Sequence, residues 1–503
     1  MSEIKTLKPF INGRFVESAT QKYTDAYNPS TGEVIAKVPC CTKEEVEQAI
    51  GAAKAAFPVW SGTPVIKRVQ ILYKLRDLLI EHMDELTRLV AFENGKAWEE
   101  AAGDVLKAKE GTEQAIAAPS LLMGESLMDA STGFDTVLYR EPLGVFAGIV
   151  PFNFPAMIPM GWMTPVCIAC GNTIVIKAAS FTSQSCLRIA ELYKEAGLPD
   201  GVINIVTCSR NEAELFLSHP DIKGISFVGS TSVGLHIYET AAKNGKRVQA
   251  LCEAKNHALV LEDAPIERTA AGIINSAFGC AGERCMALPA VVVQESIADK
   301  LVAALMEKAK ALKVGPAYEK STGLGPVVNA GHKKFVEDWI QKGVDEGAKL
   351  VLDGRNVKVP GYENGFYIGP TIFDHVKPGM TIGDSEVFGP VICIKRVKDF
   401  AEGLKLMNAN PFANGSVIFT QSGYYAREFA RHTHGGMVGV NVGIPVPVGM
   451  FPFSGHKNSF FGDLHCLGKD GYRFYTETKV VTTRWFDDAE KKAGKVSTWD
   501  GTI

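Results

Sequence analysis

Short apolar segments alternate with stretches of helical periodicity between about residues 145 and 260, and this alternation decides the predicted fold class. The apolar segments are predicted strands over 145–150, 173–177, 203–207 and 225–228. Helices are predicted near 155–170 and over 183–196. Repeated β-α-β units favour a mostly parallel sheet whose ligands bind at the carboxyl ends of the strands. The sequence therefore predicts an α/β fold with a nucleotide-binding region.

The rest of the chain fits the same fold class but requires more than one domain. A length of 503 residues exceeds what one hydrophobic core organises, so two or three domains are expected. Helices are predicted over 44–60 and 65–94, and a second α/β run follows from about 261 to 450. Short strands at 135–142 and 479–484 lie outside both runs. They are typical of a small β arm that makes contacts between subunits.

Charge and cysteine usage argue against several classes of protein. The net charge is −3 and no basic run occurs, so no nucleic-acid partner is expected. Eleven unevenly spaced cysteines indicate reduced thiols rather than a disulfide framework. Cys167 and Cys170 form a CxxC without a second pair, and we interpret them as buried helix thiols rather than metal ligands.

The sequence also predicts where the chain is located. The first residues contain neither an apolar signal segment nor an Arg-rich amphipathic stretch. The most apolar region, near 145–170, is interrupted by prolines and a glycine, so no membrane span is expected. We therefore expect a cytoplasmic protein.

Cys285 is the strongest candidate for a catalytic residue. Glycines and other small residues precede it, and Arg284 is its direct neighbour. Small neighbours allow a substrate to approach the thiol, and a cation favours the nucleophilic thiolate. A small core cysteine is the alternative interpretation.

Two further residues suit the same chemistry. Asn153 is fixed between Pro151 and Pro155, and its amide is suited to donate to a developing oxyanion, although a structural turn would use the same residues. Lys177 ends a buried strand at the edge where α/β sheets bind ligands, or it is a solvated surface lysine.

Two loops are candidates for binding a nucleotide. Gly229 and Ser230 follow a predicted strand and precede a helix, so they expose N–H groups to a phosphate, although the spacing is not GxGxxG. Glu386 and Phe388 precede a rigid turn at Pro390. The carboxylate is suited to hold ribose hydroxyls, but a solvated loop is equally compatible with it.

In combination, these segments resemble the aldehyde dehydrogenase superfamily, and within it the CoA-acylating methylmalonate-semialdehyde dehydrogenases. The matching segments are 151–159, 254–257, 282–288, 353–355, 361–365, 410–411, 414–415, 439–442, 444–447 and 453–455. The similarity extends from about residue 7 to residue 486. It implies an aldehyde dehydrogenase-like α/β fold with a Rossmann-type coenzyme domain, an α/β catalytic domain and a β oligomerisation arm.

The resemblance implies domain boundaries and an assembly. Residues 1–125 and 146–260 are expected to form the coenzyme-binding domain, and residues 261–455 the catalytic domain. Residues 126–145 and 456–503 are expected to form the oligomerisation arm. Homodimers or homotetramers are implied.

The resemblance also implies roles for individual residues. Cys285 attacks the aldehyde carbon, while Asn153 and the backbone N–H of Cys285 hold the oxyanion. Hydride then passes to NAD and leaves a thioester on Cys285. The implied coenzyme contacts are Val150, Phe152, Lys177, Ser180, Phe181, Gly229, Ser230, Cys252, Glu386 and Phe388. No metal is implied.

One departure from the family concerns the fate of this thioester. Hydrolytic relatives carry a glutamate that activates water where this chain has Leu251. Leucine accepts no proton, so coenzyme A, whose thiol needs less help than water, is the expected acyl acceptor. Glu253 lies two residues further and would share a strand face with Leu251. On that face, Glu253 would either supply the base that activates water or crowd the nicotinamide.

Other departures affect recognition. Lys107 replaces a family arginine, and we expect it to face a substrate carboxylate together with Arg284. An unbranched malonate semialdehyde or a sulfonated aldehyde would suit these two cations. Glu283 replaces a glutamine and is expected to pair with Arg284. Ser180 stands where the family has a glutamate that repels a 2′-phosphate, so NADP is expected to fit as well as NAD.

The sequence thus predicts oxidation of a small aldehyde of the methylmalonate or malonate semialdehyde type, with CoA acylation and decarboxylation to propionyl-CoA or acetyl-CoA. A hydrolytic NAD(P)-dependent aldehyde dehydrogenase acting on another small anionic aldehyde is the alternative. A chain that kept the fold without catalysis is the non-enzymatic interpretation.

Overall fold

The computed structural model describes residues 4–486 together with Asp488 and Lys491. The first α/β run builds an eight-stranded sheet. In spatial order its strands are Phe460–Gly462, Arg247–Leu251, Ile222–Val228, Val145–Ile149, Thr173–Lys177, Ile203–Val206, Phe10–Ile11 and Arg14–Phe15. The five strands from 247–251 to 203–206 are parallel, and antiparallel strands cover both edges. The strands predicted over 145–228 therefore lie side by side, as expected of an α/β fold.

The second run builds a seven-stranded sheet. In spatial order its strands are Lys349–Leu352, Thr371–Asp374, Val391–Val397, Ala290–Gln294, His257–Val260, Gly415–Phe419 and Met437–Val440. Strand His257–Val260 pairs in parallel with Ala290–Gln294 and Gly415–Phe419. Residues up to 260 were expected in the coenzyme-binding domain, but strand His257–Val260 belongs to the second sheet. The sequence of a short buried strand does not indicate which sheet the strand joins.

Three strands outside both large sheets form an antiparallel sheet. Strand Thr476–Arg484 pairs along its full length with Phe134–Pro142, which also pairs with Ser126–Ser131. These are the strands expected in the arm. Within the expected arm segment 456–503, however, Phe460–Gly462 joins the eight-stranded sheet, and residues 487, 489, 490 and 492–503 lie outside the described residues.

Two small sheets complete the β structure of the described residues. One contains Lys5–Thr6, Glu33–Pro39 and Tyr23–Asn28, and the other contains Phe412–Ala413 and His456–Lys457.

The described residues contain sixteen α-helices. They are Lys43–Ser61, Val65–Glu81, Met83–Asn94, Trp98–Ala115, Ala118–Leu121, Thr164–Ala169, Gln184–Glu195, Arg210–Ser218, Thr231–Lys243, Ile266–Phe278, Glu295–Lys310, Ala330–Asp345, Thr381–Asp384, Phe400–Ala409, Gly423–His432 and Gly468–Phe474. Short 3₁₀ turns span Ser180–Thr182 and Gly279–Gly282. The helix predicted over 65–94 is divided at His82.

The helix predicted near 155–170 is irregular. It consists of a π-helical turn, Ile158–Met163, followed by the α-helix Thr164–Ala169. Pro159 supplies no N–H, and Thr164 donates both its N–H and its hydroxyl to the carbonyl of Pro159. This wider turn packs against helix Trp98–Ala115, where Gly111 and Gly161 approach so closely that a Cβ on Gly111 would lie 2.1 Å from the Gly161 oxygen.

Within the described residues, all eleven cysteines carry free thiols. No helix in this part of the chain is long and apolar enough to cross a membrane.

Candidate active site

Cys285 follows a strained turn and lines a cavity of about 220 Å³. After helix Ile266–Phe278, Cys280 and Ala281 both have positive φ values, of 53° and 52°. Non-glycine residues adopt this conformation rarely and at a cost of about 1–3 kcal/mol each. Gly282 continues the turn with φ 75°, and a Cβ there would lie 2.1 Å from the carbonyl oxygen of Gly389. The turn leaves Cys285 half-buried at the cavity wall.

One wall of this cavity is a single face of helix Trp98–Ala115. Its lining residues recur every three or four positions, which is the spacing of one helix face. They are Glu100, Gly103, Lys107, Glu110, Gly111 and Gln114. The opposite walls are largely apolar and include Phe154, Met157, Trp162, Ile444, Val446 and Phe453. The cavity thus combines one charged wall with apolar sides.

Both expected substrate-binding cations reach this cavity, but each already has a carboxylate partner. Lys107 Nζ donates to Glu110 Oε2 at 2.6 Å. The Arg284 guanidinium binds Glu100 and also donates to the Cys280 sulfur at 3.5 Å. A substrate carboxylate that binds either cation therefore meets an existing ion pair.

Glu283 does not pair with Arg284, so that expectation is also wrong. Glu283 is buried, and its Oε1 accepts a hydrogen bond from Val328 N at 3.0 Å. Successive side chains in the turn point in different directions, so Glu283 and Arg284 have different partners. Burial raises the pKa of Glu283 well above its ordinary value.

Asn153 is buried beside the Cys285 turn without lining the cavity. Its Nδ2 donates to the backbone oxygen of Glu283 at 3.1 Å, and its Oδ1 has no partner in the described part of the chain. An amide nitrogen carries two hydrogens, so one donor position remains for an oxyanion.

A buried ion pair holds Asn153 in place, and sequence reasoning did not identify it. Lys96 Nζ donates to the backbone oxygen of Asn153 at 2.5 Å and to Asp104 Oδ2 at 3.2 Å. Asp104 Oδ1 accepts from Met157 N at 2.7 Å. Burial raises the pKa of Asp104, and the Lys96 charge opposes this. The available signal was Asp104 on the apolar face of its helix, where an uncompensated charge is costly.

A second cavity, of about 370 Å³, lies at the carboxyl ends of the eight-stranded sheet. Five of the expected coenzyme contacts line it: Val150, Phe152, Lys177, Gly229 and Ser230. Ser230 is the N-cap of helix Thr231–Lys243, and its side chain makes no capping bond. Together with Lys177, this helix start provides donors and positive charge suited to a dinucleotide pyrophosphate.

The other expected coenzyme contacts lie outside that cavity wall. Ser180 and Phe181 belong to the 3₁₀ turn after the Lys177 strand. Cys252 is buried beneath Gly234, where a Cβ would lie 2.3 Å from its sulfur. Phe388 packs edge-on against Phe152, with ring centroids 5.9 Å apart.

Glu386 contacts the loop after strand Arg247–Leu251. Its Oε1 accepts from Ala254 N at 3.2 Å. Burial raises the pKa of Glu386 to about 8, and the charge of Glu253 adds to this effect. The Cys285 thiol pKa is raised to about 12 by burial and then by the charge of Glu386, while Arg284 opposes the shift. Glu386 therefore acts electrostatically on the Cys285 thiol.

Leu251 and Glu253 do not share a strand face, which corrects the sequence prediction. The strand ends at Leu251, and Glu253 lies in the following loop. Glu253 Oε2 accepts from Thr231 N at 3.2 Å, at the start of helix Thr231–Lys243. Leu251 is buried in the apolar cluster that also packs against Cys285. The position where the sequence comparison expects the water-activating glutamate thus carries a buried apolar side chain.

In the described part of the chain, no three His, Cys, Asp or Glu side chains are placed together to hold a metal ion.

The chain matches known proteins along almost its whole length. The sequence model of the aldehyde dehydrogenase family matches residues 15–481. Malonate-semialdehyde dehydrogenase 2 of Bacillus mycoides is 49% identical over 485 residues, which cover 96% of this chain and 100% of the relative. Malonate-semialdehyde dehydrogenase 2 of Geobacillus kaustophilus is 50% identical over 482 residues, covering 96% and 99%.

Solved structures share the fold. The methylmalonate-semialdehyde dehydrogenase of Oceanimonas doudoroffii is 42% identical with a TM-score of 0.95, covering 97% of this chain and 100% of the other. A Sinorhizobium meliloti protein complexed with NAD is 40% identical with a TM-score of 0.95, covering 97% and 99%. The resemblance found in the sequence and the expected fold are confirmed by these matches.

Proposed function

Because the chain belongs to the aldehyde dehydrogenase family, we propose that it oxidises malonate semialdehyde or methylmalonate semialdehyde with NAD and transfers the acyl group to coenzyme A. The observation that carries this proposal is Leu251, a buried apolar residue at the position where hydrolytic relatives carry the glutamate that activates water. A thioester on Cys285 then has no neighbouring base at this position to activate water.

The first half of the reaction uses the Cys285 turn and Asn153. The Cys285 thiolate adds to the aldehyde carbon, and the oxyanion accepts hydrogen bonds from Asn153 Nδ2 and the Cys285 backbone N–H. NAD, which Lys177, Gly229 and Ser230 would hold, would supply the acceptor for the hydride that leaves this carbon. The carbonyl re-forms, and the acyl group remains on the Cys285 sulfur as a thioester.

The second half of the reaction removes this acyl group. The substrate carboxylate, β to the thioester carbonyl, leaves as CO2, and a proton replaces it on the α-carbon. The thiolate of coenzyme A then adds to the thioester carbon and expels the Cys285 thiolate. The products are acetyl-CoA from malonate semialdehyde and propionyl-CoA from its methyl derivative. A thiol that is partly ionised near neutral pH needs less activation than water, which supports CoA as acceptor.

The experiment is a product analysis of both half-reactions. Purified protein is incubated with malonate semialdehyde and either NAD or NADP, with and without CoA, while NADH or NADPH formation and acyl products are followed. NADP is included because Ser180 carries no charge to repel a 2′-phosphate. CoA-dependent turnover that yields acetyl-CoA supports the proposal. Free acid formed at a rate independent of CoA would identify a hydrolytic dehydrogenase. An inert protein whose Cys285 resists iodoacetamide would be non-catalytic.

The proposal includes an assembly and a location. The three-stranded arm exposes large apolar side chains at Leu127, Met128 and Val480, and Trp485 follows it. Apolar groups in this arrangement favour contact with a second copy, so we propose a homodimer or homotetramer. Free thiols throughout the described residues suit a reducing cytosol. Light scattering of the wild type and of Val480→Glu tests the assembly, since a dimer interface on the arm predicts dissociation of the variant.

A further inference from the structure

Helix Trp98–Ala115 presents an internal ion pair to the cavity of Cys285. Lys107 Nζ donates to Glu110 Oε2 at 2.6 Å, and both residues line the cavity. The two residues lie three positions apart on one helix face. Any substrate carboxylate that binds Lys107 must therefore compete with Glu110.

The other cation of the cavity is held more firmly. The Arg284 side chain is 10% exposed and is bound by Glu100, which is 25% exposed. Lys107 and Glu110 are 48% and 35% exposed. Removing one partner of a buried pair is strongly destabilising, whereas an exposed pair contributes little to stability. An incoming carboxylate can therefore replace Glu110 at Lys107 more easily than Glu100 at Arg284.

We propose that Glu110 is an internal competitor for the substrate carboxylate at Lys107, and that it sets the preference of this enzyme between anionic and neutral aldehydes. The inference rests on the proposed function in taking an anionic semialdehyde as substrate. An anionic substrate displaces the Glu110 carboxylate toward solvent and takes its place at Lys107 Nζ. A neutral aldehyde leaves the Lys107–Glu110 pair intact, because it packs against the apolar walls and does not need a cation.

Steady-state kinetics of Glu110→Gln test this role. We expect the KM for malonate semialdehyde to fall about two- to fivefold, the range for losing an exposed pair, while the KM for propanal stays unchanged. Glu113→Gln is the matched control, because Glu113 pairs with Lys109 at 3.0 Å on the same helix and neither residue lines the cavity. Equal KM values for Glu110→Gln and the wild type would overturn the proposal.

A double variant separates competition from simple charge repulsion. Lys107→Met should raise the KM for the anionic substrate, and Glu110→Gln should bring no further gain in that background. If Glu110→Gln lowers the KM equally in the presence and absence of Lys107, Glu110 acts only by general repulsion and the proposal is wrong.

A binding assay separates this inference from the proposed reaction. Propionate and propionamide differ in charge at similar size, and each is tested for protection of Cys285 from iodoacetamide by peptide mass spectrometry. Propionate should protect Glu110→Gln at lower concentration than the wild type, and propionamide should protect both equally. This result supports the inference even if malonate semialdehyde is not oxidised, an outcome that would overturn only the proposed function. Equal protection by propionate in both proteins would overturn the inference itself.

Discussion

The Glu253 carboxylate accepts a hydrogen bond from the backbone N–H of Thr231, with 3.2 Å between Oε2 and N. Thr231 opens helix Thr231–Lys243, whose N-cap Ser230 leaves the first-turn N–H groups without a side-chain cap. Glu253 thus satisfies a donor that the helix leaves free and places negative charge at the positive end of the helix dipole. The same helix start borders the cavity proposed for the coenzyme.

Removing the Glu253 charge should strengthen coenzyme binding. A dinucleotide pyrophosphate is attracted to a helix N-terminus, and a carboxylate already at that place opposes it. We expect Glu253→Gln to lower the Kd for NADH about two- to fivefold, the range for one charge at a helix end. Fluorescence titration of NADH measures it, with the exposed Glu239→Gln on the same helix as control. An unchanged or higher Kd in Glu253→Gln alone would contradict the prediction.

The position of Glu253 could not be predicted from the sequence. The alternation of apolar segments predicted the sheet strands between 145 and 228, and the residues around Cys285 contributed to the family resemblance. Whether a strand continues for two more residues depends on its neighbours. Here strand Arg247–Leu251 ends at Leu251, and Glu253 turns toward the next helix. Boundaries of this kind are the least certain part of a pattern.

The ion-pair partners of the charged residues could not be predicted from the sequence either. Arg284 was predicted beside Cys285, but its partner Glu100 lies 184 positions earlier in the chain. Lys96 and Asp104 are ordinary helix-region charges until the fold buries them together beneath Asn153. Periodicity identifies faces of elements, but it does not reveal which distant faces meet.

Asn153 is expected to contribute to the reaction rather than to coenzyme binding. Its Nδ2 lies at the Cys285 turn, 3.1 Å from the Glu283 oxygen, and Asn153 is not among the residues that line the cavity proposed for the coenzyme. Loss of one oxyanion donor typically lowers kcat about 10²- to 10³-fold. Asn153→Ala should show this loss in kcat with an unchanged Kd for NADH. A variant that keeps full kcat would remove Asn153 from the mechanism.

The Lys96–Asp104 pair should stabilise the fold and position Asn153. Lys96→Met leaves Asp104 as a buried charge without its partner, which typically costs about 3–5 kcal/mol of unfolding free energy. Urea unfolding measures this loss. Lys96→Met/Asp104→Leu removes both charges and should recover part of the stability. If the double variant is less stable than Lys96→Met, the destabilisation does not come from an uncompensated charge.

The stability loss in Lys96→Met should depend on pH. Burial raises the pKa of Asp104 in the folded state, and removing Lys96 removes a charge that opposed this rise. A raised folded pKa means that the folded state binds the proton more tightly, so stability is lost as pH rises through that pKa. The deficit relative to wild type should therefore be smaller at about pH 5 than at about pH 8. A deficit that grows on acidification would contradict this assignment.

Glu386 should control the reactivity of Cys285 only at alkaline pH. Its charge raises the Cys285 pKa, and its own pKa of about 8 means that it is mostly neutral below that pH. Glu386→Gln should therefore accelerate alkylation of Cys285 by iodoacetamide above about pH 8 and change it little below. Peptide mass spectrometry follows the rate, with the exposed Glu262→Gln as control. A uniform change at all pH values would exclude titration of Glu386 as the cause.

Restoring a carboxylate at position 251 should change the acyl acceptor from coenzyme A to water. Leu251 is the last residue of its strand and lies buried in the apolar cluster that packs against Cys285. Leu251→Glu places a base there, and general base catalysis typically contributes about 10²- to 10⁴-fold to a rate. We expect NADH formation without CoA and free acid as product, measured by chromatography. Leu251→Gln has similar size without basicity and should remain CoA-dependent, which separates catalysis from changes in packing.

Because burial raises the pKa of a carboxyl group, hydrolysis by the Leu251→Glu variant should increase with pH. If both variants hydrolyse equally, the rate comes from admitted water, and Leu251 does not decide the acceptor by lacking a base.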